Sequence, residues 1–239
     1  MTRLRWLVCG LLVLTAAAHA QNRAAAAGSP GAKLDRHKLA YAIGYQIGGQ
    51  FAGGDPSVDL PTMQRAIEDA YNKRAPSVSA RDMRDQLDAL DLHMRSKAQV
   101  DFQRLASANA RKSADFMLRN RQQPGVVQLP SGIQYSVLKQ GGGGGETPRV
   151  GSTVTVNFRA MLIDGTEFDS SWAHGSPVSF IVNNKVIPGW QDVIQRMHVG
   201  DRWRVVIPPQ LAYGERGQLP RIGPNEALVF EIELLDIKQ

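Results

Sequence analysis

The 239-residue chain is poor in the groups that covalent and metal chemistry need: it has one cysteine and five histidines. Cys9 lies in a short apolar run, "WLVCGLLVLTAAA", preceded by Arg3 and Arg5 and followed by the small-x-small triplet "AHA" at 18–20. That is the pattern of a secretory signal peptide, too short and wrongly flanked to span a bilayer. Cleavage is expected near Ala20, delivering the mature chain to an exported compartment: periplasmic, outer-membrane-associated or secreted. Its loss removes the sole cysteine, which excludes a disulfide, thiol catalysis and a Cys-based metal site. The remaining histidines, His37, His93, His174 and His198, are dispersed, none with a histidine or carboxylate at ligand spacing. No metal is expected. A G-x-S-x-G nucleophile motif is also missing. The glycines at 141–145 match neither G-x-G-x-x-G nor a Walker motif and read as a hairpin or linker, so no cofactor is expected. Glu231 and Glu233 read as a solvated strand edge rather than a catalytic carboxylate pair.

What the chain does hold is unevenly spread. The formal charge is +6, yet residues 125–239 carry 10 bases against 11 acids, while residues 21–124 carry 16 against 11. The basic residues are scattered along helical segments without interleaved aromatics. They read as a solvated face, and nucleic-acid binding is not expected.

Residues 21–32 are small and polar and are expected to be a disordered lead-in. Residues 33–78 carry two helical patterns. Leu39, Ile43 and Ile47 step by four, as do Met63, Ile67 and Tyr71, with Asp59 as the cap of the second helix. Residues 79–123 form one long connecting helix, opened by the capping pair Ser79-x-x-Asp82 and free of proline and glycine. Its apolar stripe, Met83 to Leu105, weakens to Asn109, Lys112 and Phe116, so the C-terminal half is expected to be an exposed spacer. The two short helices have too few large apolar residues for a core of their own. Pairing with a second copy is the economical solution, so a helical homodimer is expected. From residue 124 onward the period changes to two: Ile133/Tyr135/Val137, Val154/Val156/Phe158 and Trp203/Val205/Ile207 alternate between turn signals. The fold class is therefore α+β, an all-α N-terminal part followed by an antiparallel sheet with a short helix at 190–197.

Aromatics and branched aliphatics gather beside the turns: Phe158, Phe168, Phe180, Val186, Ile187, Trp190, Tyr213 and Phe230, with Asp169 among them. Trp190 is unusual in opening a helix just after Pro188-Gly189, where its ring can face a cavity. The stretches "VTVNFRAMLIDGTEFDSS", "VIPGW", "VIPPQLAYG" and "GPNEALVFEIELL" resemble FKBP-type peptidyl-prolyl cis-trans isomerases, and the N-terminal half resembles their macrophage infectivity potentiator and FkpA branch. The resemblance implies an FKBP-like sheet wrapped around the short helix over 124–239, with a pocket between them. It also implies dimerisation through the N-terminal helices. Trp190 matches the pocket floor; Phe168, Val186, Ile187 and Phe230 match the walls. Tyr213 matches the rim tyrosine, Asp169 the pocket acid and Ile222 a distal-loop aliphatic. Phe158 stands where a tyrosine is usual, Val178 where an aromatic is often found, and Arg221 on a lip where an aliphatic is common.

The implied function is an exported prolyl isomerase that assists folding of proline-containing unfolded chains and accepts macrolide inhibitors of the FKBP class. Non-covalent catalysis suffices, because an apolar pocket favours the twisted, less polar amide over the planar one. The alternative is a holdase chaperone whose helical part carries the function and whose pocket is catalytically weak.

Overall fold

The computed structural model describes residues 33–142 and 145–238. The expected signal peptide at 1–20, the lead-in at 21–32 and two of the five glycines lie outside the described residues. The chain divides into two compact units that part inside one helix, between Ser96 and Lys97.

The first unit holds α1 (Arg36–Phe51), α2 (Leu60–Tyr71) and the opening turns of α3 (Ala80–Asn120). Short polar side chains start all three. Asp35 accepts from the backbone N–H groups of His37 and Lys38, and Asp59 accepts from that of Thr62 at 3.0 Å. Ser79 Oγ accepts from the Asp82 N–H at 3.0 Å, the expected capping pair. These bonds satisfy amides that no helical carbonyl can reach. The unit has no core of its own: no side chain from Lys33 to Ala108 is buried. An apolar hollow of about 460 Å³ instead lies open among Tyr41, Tyr45, Ile47, Leu60, Met63 and Ile67.

The second unit is a sheet in the order β1-β2-β6-β7-β3-β4, with β5 also paired to β3; all pairings are antiparallel. The strands are β1 (Val127–Gln128), β2 (Gln134–Lys139), β3 (Thr153–Leu162), β4 (Glu167–Ser170), β5 (Val178–Ile181), β6 (Arg202–Ile207) and β7 (Leu228–Lys238). Two short helices join them, α4 (Ser171–His174) and α5 (Pro188–Ile194), with a 3-10 turn at Pro209–Leu211. Alternation puts Val154, Val156, Val205, Ile207, Leu228 and Ile232 on the inner face, where α5 adds Val193 and Ile194. The helix expected at 190–197 thus starts two residues earlier and ends sooner.

Two expectations change. Glu231 and Glu233 are not at an edge. β7 is interior, and on its outer face Glu231 pairs with Arg202 at 2.6 Å while Glu233 faces Lys139 at 4.0 Å. The C-terminal half of α3 is not an exposed spacer either; it belongs to the sheet unit. Asn109, Ser113 and Asn120 are buried there. Asn120 Nδ2 donates to Gln134 Oε1 at 2.8 Å, Arg204 Nη1 donates to Asn120 Oδ1 at 2.8 Å, and Gln134 Nε2 donates to the Met117 carbonyl at 2.9 Å. The apolar stripe fades because this stretch packs through hydrogen bonds, which hydrophobic periodicity cannot register.

Candidate functional site

β3 is the spine of the site. Phe158 and Ala160 follow Val154 and Val156 on the inner face, and cross-strand pairing brings Phe230 of β7 and Asp169 of β4 to either side of Ala160. Val178 of β5 sits opposite Val156. The β3–β4 register shifts by a bulge next to Ala160 and carries the chain into α4. There the buried Ser171 Oγ accepts from the Phe158 N–H at 2.8 Å and donates to Asn157 Oδ1 at 3.1 Å. This pins the strand at the point where Phe158 enters the pocket.

α5 supplies the floor. Pro188 opens the helix without needing the N–H that proline lacks. A Cβ on Gly189 would come within 2.5 Å of the Ile207 side chain, so only glycine lets this turn lie flat on β6. With the helix start pressed onto the strand, the next residue, Trp190, is turned toward the inner face of β3. Its ring is boxed edgewise by Phe158 (centroids 5.3 Å, interplanar 80°) and Phe230 (5.5 Å, 85°), with Phe180 tilted at 5.6 Å. Edge-to-face packing fixes the orientation of the indole, which is 8% exposed and meets the cavity with what remains.

Ten of the twelve pocket residues singled out from sequence line one cavity of about 490 Å³: Phe158, Phe168, Asp169, Val178, Phe180, Val186, Ile187, Trp190, Tyr213 and Phe230. Ile222 does not reach it. It is buried in the core and lines a smaller adjoining hollow shared with Phe168, Asp169, Tyr213 and Arg221. Sequence reading missed Ala160, Lys185 and Gln218, which complete the lining. Ala160 was within reach of it, being two residues past Phe158 on a period-two strand. Lys185 and Gln218 come from loops that leave no periodic mark.

The polar rim is narrow. Asp169 Oδ1 accepts from the Ser170 N–H at 2.9 Å and lies 2.9 Å from His174 Nε2. The dispersion of histidines in the sequence concealed this pair, which forms because α4 turns His174 back over the strand it follows. His93 and His198 likewise lie near Asp55 and Asp201, at 3.5 and 3.7 Å. Among the described residues no three metal-ligating side chains gather. Burial pushes the Tyr213 phenol above its ordinary value of about 10, and the negative charge of Asp169 adds to the shift. At neutral pH its hydroxyl is protonated, as an ordinary phenol's is, and can donate.

A larger hollow, about 610 Å³, lies between α3 and the 208–215 loop. Its deep polar groups, Ser113 and Gln134, are already committed to hydrogen bonds within the fold, and no aromatic floor faces it. The 490 Å³ cavity, with converging aromatics and a sparse polar rim, has the anatomy of a small-ligand site.

Comparison with known proteins shows the family of the chain. Residues 144–235 match the family model described as FKBP-type peptidyl-prolyl cis-trans isomerase, and residues 36–137 match that of the domain amino terminal to it. The chain is 38% identical to peptidyl-prolyl cis-trans isomerase Mip of Coxiella burnetii, over 87% of this chain and 89% of that protein. It is 36% identical to a protein of Legionella longbeachae named outer membrane protein MIP, over 86% and 87%. It is 35% identical to FKBP-type peptidyl-prolyl cis-trans isomerase FkpA of Escherichia coli, over 94% and 84%. The crystal structure of FkpA from Escherichia coli superposes with a TM-score of 0.70, covering 86% of this chain and 98% of that one.

Proposed function

We infer the work of the pocket from one premise: the chain belongs to the FKBP-type peptidyl-prolyl cis-trans isomerase family and is an isomerase of that type. Its substrates are proline-containing polypeptides. The observation that carries the assignment of the site is the convergence of Phe158, Phe180 and Phe230 around Trp190, which is only 8% exposed but lines the cavity together with Asp169 and Tyr213.

Rotation about an X–Pro bond must cross roughly 18–20 kcal/mol, because amide resonance is lost midway. The twisted amide is less polar than the planar one. A pocket that strips water from it therefore raises the planar state relative to the twisted state. In our reading the proline ring sits on Trp190, with Phe168, Val186, Ile187 and Phe230 as walls. Phe158, Val178 and Phe180 extend the binding surface, and the buried Ile222 backs the loop beside Tyr213. The Tyr213 hydroxyl donates to a substrate carbonyl. Each ~1.4 kcal/mol by which these contacts favour the twisted form over the planar form gives about tenfold in rate. No proton is transferred, so Asp169 shapes the rim rather than acting as an acid.

Three finer assignments go with this. The mature chain acts in the cell envelope after removal of the leader. FKBP-class macrolides compete for the Trp190 cavity. The chain is a homodimer through α1 and α2, whose open apolar hollow and absence of buried side chains support a second copy as the cover. A protease-free isomerisation assay tests the site: the full chain accelerates X–Pro isomerisation and a macrolide abolishes the acceleration. Acceleration that a saturating macrolide leaves intact would place the chemistry elsewhere.

A further inference from the structure

Two polar side chains of α3 are buried where an exposed helix face was expected, Asn109 at 5% exposure and Ser113 at 2%. Their hydrogen bonds go to one place. Asn109 Nδ2 donates to the Pro224 carbonyl at 3.0 Å. Ser113 Oγ donates to the Asn225 carbonyl at 3.0 Å and accepts from the Ala227 N–H at 2.8 Å. Asn225 answers with a longer bond, 3.4 Å, from Nδ2 to the Ala106 carbonyl. A serine inside a helix ordinarily bonds back to its own preceding turn; this one is turned outward to satisfy both an acceptor and a donor of a loop. The contact is close, since a Cβ on Gly223 would come within 2.7 Å of Asn109 Nδ2.

That loop is the one that shapes the pocket rim. Asn225, held in the left-handed region at φ 56°, donates its N–H to the Gly214 carbonyl at 2.9 Å, directly after Tyr213. The Gly217 N–H donates to the Tyr213 carbonyl at 3.2 Å, and the Gln218 N–H to that of Ile222 at 2.8 Å. The two ends of the excursion are thus tied to each other at 214 and 225, and the 225 end is tied to α3. Tyr213, directly before the excursion, and Gln218, on it, line the cavity.

We propose that Asn109 and Ser113 are positioning residues for isomerisation: through Pro224–Ala227 they fix the loop that aims Tyr213 at the substrate, and the end of α3 is a working part of the catalytic unit. The proposal rests on the assignment of the Trp190 pocket as the site. Loose anchoring of a loop that carries a substrate donor costs rate even when the fold is intact.

The test is a double-mutant cycle in the full chain, read by protease-free kcat/KM with unfolding midpoints measured in parallel. Ser113→Ala is expected to lower kcat/KM about three- to tenfold, short of the ~10²-fold that a full 1 Å misplacement can cost, and to lower it by less than half as much in a Tyr213→Phe background. Ser113→Thr, which keeps the hydroxyl, is expected to retain most of the rate. Asn109→Ala, which leaves the Ala227 N–H paired, gives the same pattern more weakly and serves if Ser113→Ala is poorly folded. Equal losses in both backgrounds would overturn the proposal, because the effect would then not pass through Tyr213. So would an unchanged rate in Ser113→Ala and Asn109→Ala while Trp190→Leu loses activity. If Trp190→Leu itself kept full activity, the site assignment would fall first.

Discussion

The two units of this chain treat their apolar side chains in opposite ways. In the sheet unit, β3, β6, β7 and α5 bury a continuous core from Ile133 to Leu234, and even the polar face turned to α3 is hydrogen-bonded. In α1 and α2 nothing is buried, and Tyr71 is 86% exposed. Helices of 16 and 12 residues are marginal alone in water, and caps at Asp35 and Asp59 do not replace packing. One unit can hold its shape with its own residues. The other needs a cover, for which we propose a second copy of the chain.

The strongest way to sharpen that contrast is to make the same kind of truncation in both units. Ile232, at 0% exposure, sits between β3 and β6. Ile232→Ala should cost about 2–5 kcal/mol, read as a lower urea midpoint of the sheet unit at unchanged slope. Ile67, at 53% exposure, should behave differently. Ile67→Ala should leave that transition where it is and weaken self-association in sedimentation. A midpoint shift of the sheet unit comparable to that of Ile232→Ala would erase the contrast.

Gly189→Ala should cost about 1–3 kcal/mol by driving a methyl group into Ile207, with isomerase activity falling further than stability alone predicts, because Trp190 is carried by the same turn. Partial restoration of activity by Ile207→Ala, which removes the Cγ2 and Cδ1 atoms that the new methyl meets, would tie the loss to that contact; no loss at all would show that the turn has room.

A smaller effect concerns Tyr213. Its phenol pKa is raised in the fold, so the folded state holds the proton more tightly than the unfolded chain does. The associated stability is fully present below about pH 10, the unfolded value, and is lost as pH rises through the folded one. Urea midpoints taken across that range should fall more steeply for the wild type than for Tyr213→Phe. Parallel curves would mean that the phenol is not held in the rim as described.

The smallest expected change is at Phe158. Asp169 Oδ1 already takes the Ser170 N–H and faces His174, while its side chain remains partly in water. A hydroxyl added by Phe158→Tyr should therefore gain at most about 0.5–1 kcal/mol, a solvent-screened value. Activity should change by less than tenfold. A larger gain in kcat/KM would give the pocket acid a part in the chemistry.

Where periodicity carries the packing, the fold was legible in the sequence. Val154, Val156 and Phe158 announce an inner face, and Trp190 after Pro188-Gly189 points to a ring at a cavity, which it lines while remaining 8% exposed. The resemblance to a known family points to Phe168, Val186, Ile187 and Phe230, which line the cavity. Two kinds of feature escaped. Asn109, Ser113 and Asn120 pack through polar bonds to partners up to 115 residues away, which no local pattern encodes. Asp169 and His174 meet only because a four-residue helix turns between them, and Lys185 and Gln218 reach the cavity from loops whose course is set by the sheet.

The central claim is that X–Pro rotation takes place on Trp190. The direct measurement is protease-free kcat/KM of full-length Trp190→Leu beside the wild type, at a temperature below both unfolding midpoints. Leucine keeps an apolar floor but loses the flat face and the edge contacts of Phe158 and Phe230. The account predicts a folded variant whose kcat/KM falls by at least about tenfold, the rate equivalent of ~1.4 kcal/mol of lost preference for the twisted amide. A folded variant with wild-type kcat/KM would contradict it.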